Sequence, residues 1–371
     1  MVSASKNPFT PTFGRVPALM TGREQILAEM TRAFESGPGN PNLSTIFAGA
    51  RGTGKTALLL HLSRVAQEQG WISVNVSCIP GMLEDIAQQA YEAAADLVDP
   101  SEHARLRSVT IGSVVGVEWD NPEVPAGNWR TRMSRLLKAL NAQDIGLVIT
   151  VDEVQPNLDE MIQLASVYQH FVGEERKVSL LLAGLPGKMS SLLRNESVSF
   201  LRRANKHTLR PIADEEIAIG IRYTVEEGGR TIQAPAIEAA VKASEGFPYL
   251  MQLVGFQSWE QRPHADEITL DDVNLGAAMA RKNFVERVLE ATYFDLSPND
   301  VRFLQAMLED PEESRLADIA ERLGEASNYT STYKRRLIEQ GVIGERGPSF
   351  VAFELPGFRD YLAQKCGPLS K

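Results

Sequence analysis

Two short stretches hold residue types that can do chemistry on a phosphate. The first is Gly49-Ala50-Arg51-Gly52-Thr53-Gly54-Lys55-Thr56, which satisfies the spacing G-x-x-x-x-G-K-[ST]. Glycines let successive backbone N–H groups turn inward toward phosphate oxygens, and a helix starting where the stretch ends adds the positive end of its dipole. Lys55 is a compact cation suited to the β- and γ-phosphates, and the Thr56 hydroxyl is a hard oxygen ligand for Mg²⁺. Gly49 through Thr56 are therefore the candidate nucleotide-binding residues. The second stretch is Asp152-Glu153, two carboxylates directly after the apolar run Leu147 to Val151. Asp152 is the candidate to hold Mg²⁺, directly or through water; Glu153 is the candidate to orient and polarise an attacking water, with Lys55 as its catalytic companion. Together they predict binding of ATP and Mg²⁺.

Such chemistry needs a strand that runs into the glycines, a helix that leaves them, and a second strand that delivers the carboxylates beside the loop. The chain supplies these. Short apolar runs at Leu43 to Ala48, Trp71 to Val76, Gly146 to Val151, Val178 to Ala183 and His207 to Ile212 alternate with helical patterns. That rhythm predicts crossover units and a parallel sheet covered on both faces. The stretch Arg105 to Asp120 breaks it and reads as an inserted hairpin. From Asp214 onward only helix signals follow: Asp214 as a cap before Ile217 and Ile221, Pro235 opening a helix that Gly246 ends, and a Thr269/Asp272 capping box before Val273.

A third unit opens at Ser297-Pro298, a cap followed by Pro at the first helical position. Leu316, Ile319, Ala320 and Leu323 form one helix stripe ended by Gly324, and a helix from about Tyr329 to Gln340 buries Tyr329, Tyr333 and Leu337. Val342-Ile343, a turn around Gly344 to Pro348, and Phe350 to Phe353 complete the order of a winged helix-turn-helix. The expected class is α/β: a P-loop NTPase parallel-sheet core over 1–212, a helical lid over 213–293 and a winged helix domain over 294–371.

Composition limits the partners. The 38 Lys and Arg stand against 48 Asp and Glu, a net charge of −10, which excludes a basic coat that wraps nucleic acid nonspecifically. Any DNA contact must be local. The candidates are Asn328, Ser331, Thr332, Lys334, Arg335 and Arg336 on the second helix of the third unit, and Arg346 at the hairpin tip. From Ser297 onward ten Lys and Arg face twelve Asp and Glu, so a protein partner is the competing reading. Two cysteines, Cys78 and Cys366, allow no disulfide framework or four-ligand zinc site. With no apolar run of membrane-spanning length and no signal-peptide pattern, the expected location is the cytoplasm, with no membrane partner.

With these residues in place the chain resembles the AAA+ and STAND branch of P-loop ATPases, and within it the initiator-type ATPases of the archaeal origin-recognition family and their bacterial relatives. The likeness covers nearly the whole chain. Phe13-Gly14 and Gly22-Arg23-Glu24 resemble the family's N-terminal box, which implies that this segment, Arg23 included, lies near the adenine. Gly246-Phe247-Pro248-Tyr249-Leu250 resembles the G-x-P segment of the lid and adds Pro248 to the nucleotide side. The family architecture also implies that the strand carrying Ala183-Gly184 lies between the phosphate-loop strand and the Asp152 strand. Two departures stand out. The tip Ala183-Gly184-Leu185-Pro186 carries no polar sensor residue, and no arginine occupies the second-sensor position near Pro248; both imply a slow switch. Arg194, Arg202 and Arg203 lie where the family often supplies an arginine finger to a neighbouring subunit, which implies self-association. The leading expectation is an ATP-driven switch for double-stranded DNA. The alternative is a STAND-type signalling ATPase with a protein partner; for a third, a metabolic kinase, no second substrate site is identifiable.

Overall fold

Four mostly apolar runs and a polar edge segment pair into one all-parallel sheet in a computed structural model that describes residues 6–12, 14–96 and 128–369. The strands are β1 (Ser44–Gly49), β2 (Trp71–Ser77), β3 (Gly146–Asp152), β4 (Val178–Gly184) and β5 (Asn205–Leu209), in the order β2-β3-β4-β1-β5. The strand carrying Ala183-Gly184 does lie between the phosphate-loop strand and the Asp152 strand. Successive residues of a strand face opposite sides, and the core obeys this. Leu147, Ile149, Val151, Leu180 and Leu182 pack with Ile46 on one face, while Val148, Leu181 and Ala183 pack with Phe47 on the other. The first face is covered by helices α3 (Met82–Asp96), α4 (Trp129–Asn141), α5 (Asp159–Gly173) and α6 (Pro186–Arg194); the second by α1 (Glu24–Ser36) and α2 (Lys55–Glu68).

Two local expectations are corrected. The fifth strand covers Asn205–Leu209 rather than His207 to Ile212, because Pro211 has no N–H to donate and ends the ladder. Asp214 is the first residue of α7 (Asp214–Glu227), not its cap; the side chain of Glu216 instead accepts from the Ala213 N–H at 3.4 Å. The proposed hairpin at 105–120, and Phe13, lie outside the described residues.

The lid consists of α7, α8 (Ala234–Ser244), α9 (Pro248–Gln261) and α10 (Leu270–Phe284), with a two-residue strand pair β6 (Thr231–Ile232) and β7 (Glu267–Ile268). Thr269 and Asp272 form the expected capping box. Helices α9 and α10 cross where Gly276 faces Ser258: a Cβ on Gly276 would stand 2.5 Å from the Ser258 N. Helix α10 runs through a π-helical turn, Val285–Leu289, into α11 (Glu290–Phe294).

The C-terminal unit follows as α12 (Pro298–Met307), β8 (Glu313–Arg315), α13 (Leu316–Leu323), α14 (Ser327–Glu339), β9 (Ile343–Glu345), β10 (Phe350–Phe353) and α15 (Phe358–Cys366). Ser297 and Asp300 cap α12 reciprocally, and Gly324, at φ 67°, ends α13. β10 pairs antiparallel with both β8 and β9. This order and pairing are compatible with a winged helix-turn-helix. Its apolar residues continue those of the lid in one contiguous cluster from Ile212 to Leu362. Among the described residues no helix is long and apolar enough to cross a membrane.

Candidate nucleotide site

Gly49 ends β1 and Lys55 begins α2, so the strand, loop and helix required around Gly49 to Thr56 are present. Gly52 and Gly54 adopt φ of 82° and 85°, a left-handed backbone that side chains disfavour. Gly49 is excluded from any larger residue by crowding, since a Cβ there would stand 2.6 Å from the Thr53 Oγ1. The Thr53 hydroxyl donates to the Ala50 carbonyl at 2.8 Å and holds the loop curled. Inside that curl the Lys55 Nζ donates to the carbonyls of Gly49 at 3.0 Å and Ala50 at 2.8 Å. Burial pushes the Lys55 ammonium down to about 8, against the opposing pull of Asp152 and Glu153.

β3 delivers Asp152 beside the loop, where the Thr56 hydroxyl donates to its Oδ2. A hydroxyl and a carboxylate in direct contact are a donor set that fits Mg²⁺, which takes few protein oxygens and completes its shell with water and phosphate. Among the described residues no cluster of three or more His, Cys, Asp or Glu is placed to hold a metal. Glu153 is exposed and stands at φ 52°, with its N–H donating to the Asp152 Oδ1 at 2.8 Å. A non-glycine residue in this region carries strain that such a contact helps to hold.

On the other side of the loop the lid touches the glycines. Pro248 lies 3.7 Å from where a Gly54 Cβ would be, and the Tyr249 N–H donates to the Gly52 carbonyl at 3.4 Å. Arg23 and Pro248, both expected near the adenine, line a small pocket of about 40 Å³ with Met20, Ile212, Met251 and Gln252. Arg23 spends its donors on backbone: the carbonyls of Gly22, Arg210 and Thr53 accept from it, and burial lowers its basicity. It therefore braces the pocket wall rather than offering a free cation.

Contacts from the far end of the chain also reach the loop. The Arg51 Nη1 donates to the Thr292 Oγ1 at 3.2 Å, and its Nη2 lies 3.7 Å from Asp295. At the tip of β4, where no polar sensor stands, Leu185 lies 3.0 Å from where a Gly341 Cβ would be. One turn on, a Cβ at Gly187 would stand 2.4 Å from the Glu339 Cα, and the Ser191 hydroxyl donates to Glu339 at 3.3 Å. The C-terminal end of α14 is thus docked on α6. Sequence reading missed this contact; its one local trace is Gly187, since Gly341, at φ 71°, is already required to end α14.

The arginines between β4 and β5 remain on the surface. Arg194 donates to the Ser191 hydroxyl at 3.0 Å, Arg202 donates to the Leu193 carbonyl at 2.8 Å, and Arg203 makes no hydrogen bond among the described residues. The basic turn on α14 is divided. Lys334 pairs with Glu345 at 2.7 Å and Arg336 with the buried Asp300 at 2.9 Å, while Arg346 pairs with Glu354 at 2.8 Å. Asn328, Ser331, Thr332 and Arg335 are exposed.

A parallel sheet of this order, with a phosphate loop after the first strand and two carboxylates at the end of the third, has the architecture of an AAA+-type P-loop NTPase core. Residues 20–187 match the family model described as AAA ATPase domain, and residues 286–362 match a domain of unknown function, DUF8462. Over residues 20–187 the chain thus matches an AAA ATPase domain, in a fold similar to that of two solved structures. It is similar to the ORC2 protein of Aeropyrum pernix, solved with ADPNP and ADP, at 13% identity over 96% of this chain and 97% of that one, with a TM-score of 0.61. A Walker-type ATPase of Pyrococcus abyssi is similar at 14% identity over 92% and 96%, with a TM-score of 0.63. At these identities the likeness is one of fold. No curated protein matches the sequence.

Proposed function

We propose that the chain is an ATP-binding, slowly hydrolysing switch ATPase whose nucleotide state sets the position of the C-terminal unit, and that the unit's output is binding of double-stranded DNA. The observation that carries this reading is the double contact on the phosphate loop: Ala50 faces Gly341 of the C-terminal unit, and Arg51 meets Thr292 and Asp295 at the junction of lid and C-terminal unit. A loop that must reshape around phosphates cannot do so without moving these contacts. Differential affinity of ATP and ADP for the docked and released arrangements would then shift the population between them.

In this reading Gly49 to Thr56 hold the phosphates, and Lys55 turns from the two carbonyls toward them. Thr56 and Asp152 hold Mg²⁺, which supplies charge neutralisation for the phosphate oxygens. Glu153 orients water. Turnover is slow because the tip Ala183 to Pro186 offers no polar sensor and no arginine occupies the second-sensor position near Pro248 to stabilise developing charge. Arg194, Arg202 and Arg203 are free enough to serve a second copy of the chain. The units 1–212, 213–293 and 294–371 act as core, lid and output.

Asn328, Ser331 and Thr332 are exposed in the N-terminal part of α14, the part of a recognition helix that reaches base edges, and the exposed Arg335 lies further along it. A second reading, a protein partner in place of DNA, is favoured by the ion pairs that occupy Lys334, Arg336 and Arg346. Titration of a duplex with ATP and with ADP at two salt concentrations separates them. DNA recognition through phosphates gives an affinity that falls steeply with salt and differs between nucleotides; absent or salt-independent binding assigns the output to protein.

The docked arrangement has its own test. Gly187→Leu places a side chain where the Glu339 backbone now lies, so α14 must leave α6. Amide hydrogen exchange at residues 185–191 and 337–343 is expected to rise at least about tenfold in the variant, the signature of a lost local contact. Unchanged protection would show that the contact is not held in solution.

A further inference from the structure

The mostly apolar pocket beside Gly54 contains a carboxamide with a defined orientation and an unused donor; the Thr21 hydroxyl in the same wall is also without a partner but is free to rotate. Gln252, on the lid helix α9, is only 7% exposed and lines this pocket. Its Oε1 accepts from the Thr10 N–H at 2.8 Å. A backbone N–H can only donate, so this contact assigns the oxygen and leaves the amide nitrogen on the other side. That nitrogen makes no hydrogen bond among the described residues, and it is not among the fully enclosed polar atoms that lack a partner.

The element that sets this orientation is itself anchored. Asn7 donates to the Phe256 carbonyl at 3.2 Å and to Glu260 at 2.8 Å. Phe9 is buried against Gly255, where a Cβ would stand 2.2 Å from the phenyl ring. Residues 7–10 therefore form a strap along α9 that holds the carboxamide in one sense. Most of the remaining lining, including Met20, Ile212, Pro248 and Met251, is apolar, with Thr21, Arg23 and Thr53 as its polar members.

A planar, largely apolar ligand edge with one hydrogen-bond acceptor fits such a wall. We propose that Gln252 is a specificity-determining residue for the base of the nucleotide: its Nε2 donates to a ring nitrogen of adenine, and the strap residue Thr10 fixes that donor. The inference rests on the ATP reading above and extends it to the base. A donor alone reads an acceptor, so the contact belongs to one of the three ring nitrogens N1, N3 or N7.

The test uses the full chain and four probes: ATP and its 1-deaza, 3-deaza and 7-deaza analogues, with binding measured by calorimetry. One analogue is expected to bind about tenfold more weakly than ATP, the cost of one lost hydrogen bond in a closed site. The Gln252→Glu variant keeps an acceptor for the Thr10 N–H but removes the donor. In it, ATP and that analogue should bind equally, which a merely structural role for Gln252 would not produce. Equal binding of all four probes to the unaltered protein, or discrimination that survives in Q252E, overturns the proposal. Failure of every probe, ATP included, would instead overturn the ATP reading.

Discussion

Lys55→Ala is expected to lose nucleotide binding by at least about 100-fold, the equivalent of a charged hydrogen-bond donor worth ~3 kcal/mol. Thermal unfolding without nucleotide and with millimolar ATP gives the readout: the unaltered protein gains stability by mass action, and the variant gains none. Normal ATP binding by the variant would remove the loop from the site. The resting geometry adds a pH dependence. The Nζ sits on the Gly49 and Ala50 carbonyls, and burial lowers its pKa to about 8 from 10.5. For a base with a depressed folded pKa, the folded state binds fewer protons than the unfolded chain between those two values. The group's unfavourable contribution is therefore full below about pH 8 and fades as pH rises toward 10.5. Phosphates favour the charged ammonium, so ATP binding near pH 8 should take up protons and weaken as pH rises. Calorimetry in two buffers of different ionisation enthalpy measures that uptake, and Lys55→Arg should abolish it.

Glu153→Gln is expected to lower ATP turnover by about 100-fold or more, within the range of a lost general base, while ATP affinity stays within a few-fold. The residue sits one position past the Mg²⁺ ligand candidate Asp152, exposed and in a left-handed backbone at φ 52°. Glutamine keeps the size and the backbone demand and removes only the proton acceptor. Single-turnover measurement with radiolabelled ATP separates hydrolysis from product release. Turnover equal to that of the unaltered protein would take Glu153 out of its proposed role.

Much of the core was legible because its determinants are local. Gly52 and Gly54 are needed for their backbone angles, Thr269/Asp272 closes its capping box over three residues, Ser297 caps the helix that Pro298 opens, and the continuous apolar run Leu147 to Val151 marks a strand buried on both faces. The errors also have local causes that compete. Pro211 truncated a strand that the apolar pattern extended, and Asp214 looked like a cap although Ala213 takes that position.

The basic turn at Lys334 to Arg336 shows the boundary most clearly. Residue types made it a cationic patch, but Glu345 and Asp300 approach it from another strand and another helix and claim two of its three charges. Likewise the resemblance implied only that Arg23 lies near the adenine; the structure shows its donors used by the carbonyls of Gly22, Thr53 and Arg210. By itself the amino-acid sequence determined the phosphate loop, the acidic pair that serves it and the order of core, lid and C-terminal unit, since spacing and backbone preference act over a few residues. Only the tertiary structure decided that Glu339 docks at Gly187, that Arg51 reaches Thr292 and that Thr10 orients Gln252. Those contacts join residues more than 150 positions apart in the first case and more than 240 in the other two, where no periodicity links the partners and only packing of one element on another brings them together.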